Sequence, residues 1–174
     1  MSAPQSTRTG PIVSSARLVS ERSAELSEVE FGLNMLINAY QRWMVRCVTA
    51  AGLSDLGPLD VQVMHLVNHP DRRRRLSELC FLLNMDDSHT VNYALKKLVR
   101  QGLLDGEKRG KEIHYGVTAE GQAACARYRE VREACLIDSL SALGYDNAEI
   151  GQVAQLLRAL SGLYDQAARS ATAF

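Results

Sequence analysis

The sequence predicts a mainly α-helical fold carrying one small β-hairpin, and three observations predict it. From Ser23 onward, apolar residues recur at spacings of three and four over most of the chain, the period of amphipathic helices. One segment breaks that period: Leu103 and Leu104 lead into a charged turn around Gly110, and Ile113 to Val117 returns with alternating character. The composition of the 174 residues, 46% hydrophobic and 23% charged, is that of an ordinary globular body with room for a core, and one compact unit is the starting expectation.

The elements follow in order. Residues 1–19 are rich in Ser, Thr, Pro and Gly without apolar periodicity and read as a flexible N-terminal arm. A long helix occupies residues 20–52, with Leu33, Tyr40, Trp43, Met44 and Cys47 on its stripe and Gly52 as its stop. Pro58, at a first-turn position, opens a second helix that Pro70 ends. A short third helix covers about Leu76 to Leu83. Asp87 or Ser88 caps a fourth, carrying Val91, Leu95, Leu98 and Val99 to Gly102. After the hairpin, Thr118 caps a helix running toward Gly144, and Asp146 or Asn147 caps a last one with Ile150, Val153, Leu157, Leu160 and Tyr164 on one face.

Several classes of function fall away on composition. No apolar run reaches the roughly 18 residues of a membrane span, and the first residues lack a secretory apolar core, so the expectation is a cytoplasmic protein without a membrane partner. The cysteines Cys47, Cys80, Cys125 and Cys135 are far apart in apolar or helical surroundings and read as reduced, buried thiols. His65 and His69 are four apart, a spacing two metal ligands can use, but no third ligand accompanies them, and no metal or cofactor is expected. No nucleophile with a paired base and no phosphate-cradling glycine loop is evident, so the chain does not read as an enzyme. Formal net charge is zero, yet residues 70–115 hold ten Lys/Arg against seven Asp/Glu. That is a modest basic concentration in the middle of the chain.

Three short helices followed at once by a two-stranded hairpin are the elements of a winged helix-turn-helix, here residues 53–118, in which the third short helix enters the major groove. On that helix the positions off the apolar stripe are Ser88, His89, Thr90, Asn92, Tyr93, Lys96 and Lys97, which offer hydroxyl, imidazole, amide and ammonium groups to base edges and phosphates. Arg72, Arg73, Arg74 and Arg75, between two helices of the motif, are either phosphate contacts or a solvated loop whose charges answer acidic neighbours.

The run Asp87-Ser88-His89-Thr90-Val91-Asn92-Tyr93-Ala94-Leu95-Lys96-Lys97-Leu98, continued by Val99 to Leu104 and then by Val117-Thr118-Ala119-Glu120-Gly121, resembles the recognition helix, first wing strand and post-wing cap of MarR-type transcriptional regulators. The resemblance covers about residues 58–125. It implies a homodimer in which helices of 20–52 and 119–174 intertwine, and two recognition helices that read a palindromic operator in double-stranded DNA. It also implies that Ser88, Thr90 and Asn92 meet bases while Lys96 and Lys97 lie near the backbone. The family's wing usually carries an Asp-x-Arg turn. This one reads Glu107-Lys108-Arg109-Gly110-Lys111-Glu112, so Arg109 or Lys111 would supply the minor-groove cation. Tyr40, Trp43 and Met44 are either core or interface, or the lining of a small-molecule effector site as in ligand-responsive relatives. The rival reading of the whole chain is a winged-helix module that docks proteins without binding DNA.

Overall fold

A computed structural model describes residues 22–174, and the expectation for the arm of residues 1–19 lies outside the described residues. The chain forms two compact units, one ending at Tyr128 and one from Arg129 to Phe174, where length alone suggested a single body.

In the first unit α1 spans Ala24–Ala50, α2 Pro58–Val67, β1 Arg74–Arg75, α3 Leu76–Leu83, α4 Ser88–Arg100, β2 Leu104–Arg109 and β3 Glu112–Val117, and α5 (Ala119–Arg132) begins in it. Its core is built where the helical stripes meet: Met44, Cys47 and Val48 of α1, Val63, Met64 and Val67 of α2, and Val91, Leu95 and Leu98 of α4 are all buried. Burying one such Leu is worth about 1.5–3 kcal/mol, so this stripe largely decides which face of α4 turns inward.

Local chemistry sets the ends of these elements. After α4 the chain closes a Schellman turn: Gly102 adopts φ +74°, its N–H donates to the Val99 carbonyl, and the Leu103 N–H donates to Leu98. Leu103 and Leu104 are thereby delivered, buried, at the start of β2. The hairpin turns on Gly110-Lys111, with Gly110 at φ +63° in the first loop position, as a type II′ turn demands, and Arg109 opposite Glu112 closing the ladder. The strands reach further toward the turn than the sequence pattern suggested.

Thr118 then starts α5. Its hydroxyl donates to the carbonyls of Gly102 and Leu103 and accepts from the Gly121 N–H at 3.1 Å, while its own N–H donates to Leu103. The first turn of α5 therefore lies directly on the end of the α4–β2 connection. A Cβ on Gly121 would come within 2.1 Å of the Leu103 carbonyl oxygen, so only glycine fits.

Two expectations are corrected here. The arginine run is not simply a loop: Arg74 and Arg75 form β1, which pairs antiparallel with β3 (Arg74 with Tyr115, Arg75 with His114), giving a three-stranded sheet of order β1-β3-β2. The helix from Thr118 does not run unbroken to Gly144. It leaves α-geometry after Arg132 for a π turn, Glu133–Ile137, whose wider winding shifts Cys135 and Leu136 out of the 3.6-residue stripe that Val131 begins.

The second unit holds that π turn, short helical turns through Leu143, and α6, Asn147–Ala171, whose Asp146 cap accepts from Glu149 N–H at 2.8 Å while Glu149 reaches back to Asp146 N–H. No residue of this unit whose burial is described is buried. Its apolar stripe is only partly covered: Val153 is 57% and Leu156 52% exposed, while Leu157, Leu160 and Tyr164 are half-buried. Cys135 is exposed and Cys80 half-buried, against the expectation of four buried thiols; Cys47 and Cys125 are buried. The histidine pair does not share a helix, since α2 ends at Val67; His65 packs edge-on against Tyr128 at 4.5 Å, and His69 Nδ1 accepts the Asp71 N–H.

Candidate nucleic-acid interface

With Val91, Ala94, Leu95 and Leu98 buried, the helical period turns His89, Tyr93, Lys96 and Arg100 directly outward. Tyr93 is 67% exposed. These four form one stripe of imidazole, phenol, ammonium and guanidinium groups along the open face of α4. Arg100, four residues from Lys96 and seven from Tyr93, joins this outward stripe although it is not among the positions selected from the sequence.

The other residues singled out lie on the flanks. Ser88 is exposed at the first helical position, and Asn92, one turn on, is half-buried beside a cleft toward the wing. Thr90 donates its hydroxyl to the Asp87 carboxylate, which also accepts the His89 N–H at 2.9 Å. These bonds hold the Asp87 carboxyl below its ordinary 3.8, the Thr90 hydroxyl contributing most and the His89 amide next. A carboxyl with a lowered folded pKa contributes stability that is complete above its unfolded value and is lost as the pH falls through the folded one. The melting temperature of Asp87→Asn is accordingly expected to lie below that of the unaltered chain at pH 7, with the gap narrowing once the pH drops under 3.8. A gap that stays constant down to pH 2 would contradict the charged cap.

Lys97 is committed inward. Its Nζ lies 2.7 Å from Asp60 Oδ2, with the lysine side chain 21% and the aspartate 9% exposed, and the same carboxylate oxygen accepts the Gly57 N–H at 2.8 Å. One buried carboxylate thus ties the start of α2 to the middle of α4.

The arginine run is similarly engaged. Arg73 pairs with Asp105 and donates from Nε to the His114 carbonyl at 3.1 Å, its guanidinium lying across Gly116, where a Cβ would come within 2.8 Å of it. Arg74 donates to the Leu66 carbonyl at 2.7 Å. Arg75 pairs with Glu112 at 3.0 Å and with Glu78 at 3.5 Å, and the Glu112 bond is the main cause of a guanidinium pKa pushed above its usual value. Arg72 is the most exposed of the four, 3.8 Å from Glu78. In the wing, Arg109 grips Glu107 through two bonds of 2.8 and 2.9 Å, which lower the Glu107 carboxyl. Lys111 is exposed at the hairpin tip and borders the cleft beside Asn92.

The arrangement is a helix with a polar outer face, held by an apolar inner face and flanked by a hairpin whose carboxylates Asp105, Glu107 and Glu112 hold Arg73, Arg109 and Arg75. Residues 56–121 match the winged helix DNA-binding domain family. No curated protein matches the sequence. Among solved structures, NMB1585, a MarR family regulator from Neisseria meningitidis, superposes with a TM-score of 0.62 at 17% identity over 82% of this chain and 94% of its own. The chain has the MarR-type winged-helix fold. A MarR transcriptional regulator from Methanosarcina mazei Go1 shares this fold with a TM-score of 0.62 at 14% identity, covering 78% of this chain and 90% of its own. A MarR family regulator from Rhodococcus sp. RHA1 gives 0.61 at 14% identity, covering 79% and 95%.

In the MarR-type layout α3 and α4 are the helix-turn-helix, and the hairpin of β2 and β3 is the wing. Of the Tyr40, Trp43 and Met44 cluster on α1, Met44 is buried, Trp43 half-buried and Tyr40 exposed. No helix among the described residues is long and apolar enough to cross a membrane.

Proposed function

We propose that the chain is a transcriptional regulator that acts in the cytoplasm as a homodimer and reads double-stranded DNA with α4. The observation that carries this reading is the outward stripe of α4: a winged helix DNA-binding domain presents His89, Tyr93 and Lys96 on the open face of its recognition helix, with Ser88 and Asn92 on one flank. The exposed Val153, Leu156 and Leu163 of α6 and the exposed Met35, Leu36, Ile37 and Tyr40 of α1 support the dimer, since a soluble monomer rarely leaves such faces to water. Two recognition helices related by a two-fold axis would enter successive major grooves about 34 Å apart and so favour a palindromic operator. A small-molecule effector, where one acts, would work by altering that spacing.

Salt-dependent binding to a random-sequence duplex and to the protein's own promoter region tests the reading, with sedimentation of the free protein as the check on the dimer. Affinity is expected to fall steeply with salt, and Asn92→Ala is expected to erode the preference for the promoter by about 1–3 kcal/mol. No binding to either duplex at low salt would overturn it.

A second reading, a winged-helix protein-docking module, draws support from the internal neutralisation of Arg73, Arg75 and Arg109 by Asp105, Glu112 and Glu107. Weak retention on heparin at low salt would favour it.

A further inference from the structure

Most ion pairs around the wing bind one part of the domain to another, and the pair of Arg75 with Glu112 also faces open space beside the recognition helix. A cleft of 330 Å³ lies between the start of α3, the recognition helix and the wing, bordered by Arg75, Ser77, Asn92, Lys111 and Glu112. Beside the apolar Leu76 and Ile113 it collects two cations, the hydroxyls of Ser77 and Tyr115 and a carboxamide, donors that can meet DNA phosphates, together with one carboxylate. That carboxylate, Glu112, accepts from Arg75 Nη1 at 3.0 Å.

We propose that Glu112 stands in for a DNA phosphate: in the free protein it occupies the anion position of Arg75, and it gives up that position to a backbone phosphate when a duplex binds. The inference rests on the DNA-binding reading and adds to it a residue that opposes binding. Carboxylate and phosphate oxygens compete for a guanidinium through the same charge-assisted bonds. The pair is loose enough to exchange, with Arg75 40% and Glu112 51% exposed, and pairs of that exposure are weak. Glu112 is the first residue of β3, beside the turn, so its side chain can swing into solvent without disturbing the ladder. Glu78, 3.5 Å from another nitrogen of Arg75, remains to keep the guanidinium in place.

The test is fluorescence anisotropy of the full chain on a random-sequence duplex across a salt series, for Glu112→Gln, Arg75→Gln and the double variant. Glu112→Gln is expected to bind about three- to tenfold tighter at moderate salt, with the salt slope steeper by about one. Arg75→Gln is expected to weaken binding, and in its background Glu112→Gln should add less than about twofold, because the competition it relieves is gone. A gain of equal size in both backgrounds would overturn the proposal by showing a general charge effect. Unchanged or weaker binding by Glu112→Gln alone would overturn it while leaving the DNA-binding reading intact. Failure of the unaltered chain to bind any duplex would remove that reading first.

Discussion

Replacing Gly121 by alanine is expected to destabilise the winged helix by about 3 kcal/mol, at the upper end of what overpacking usually costs. The added Cβ would sit 2.1 Å from the Leu103 carbonyl oxygen and 2.8 Å from Val117 Cγ2, and the first of these is backbone, which cannot rotate away. Relief requires withdrawing the first turn of α5, which breaks the Thr118 hydroxyl bonds to Gly102 and Leu103. Thermal melts should show a fall of roughly 6–12 °C for a chain of this length. Alanine is ordinarily the better helix residue, so an unchanged or raised melting temperature would show that the contact with Leu103 is dispensable.

Two adjacent lysines on α4 are expected to fail in opposite ways. Lys97→Ala strands the Asp60 carboxylate, which is 9% exposed, and should lower stability by about 2–3 kcal/mol, somewhat less than for a fully buried pair because the lysine keeps some water. Among the described residues, Asp60 would then keep the Gly57 N–H as its hydrogen-bond donor. Lys96→Ala removes an exposed ammonium from the outward stripe and should leave the melt within about 0.5 kcal/mol while reducing the salt slope of DNA binding by about one. Urea melts and a salt titration on both variants decide the matter. The reverse pattern, a stable Lys97→Ala with a shallower slope, would place Lys97 on the DNA and contradict the Asp60 pair.

That contrast also marks how far the site was legible. Ser88, His89, Asn92, Tyr93 and Lys96 could be selected as polar positions off an apolar stripe, since period alone decides which side of a helix faces out. Lys97 passed the same filter and lies on the opposite flank, because nothing in its own helix announces that Asp60, 37 residues earlier, points at it. Arg100 was missed although the period includes it. The arginine run was the hardest case: arginine has no strand signal of its own, and β1 exists only because β3 offers an edge for Arg74 and Arg75 to pair with.

The sequence by itself determined the order of helices and hairpin, the cap at Thr118 and the turns at Gly102 and Gly110, and narrowed two further caps to Asp87 or Ser88 and Asp146 or Asn147, because each depends on residues within a few positions of one another; the structure selects Asp87 and Asp146. Tertiary structure alone decided which charges are spent within the fold. Arg73 on Asp105, Arg75 on Glu112 and Lys97 on Asp60 join residues more than thirty positions apart, and a side chain's freedom to meet a ligand depends on what the fold has already placed beside it.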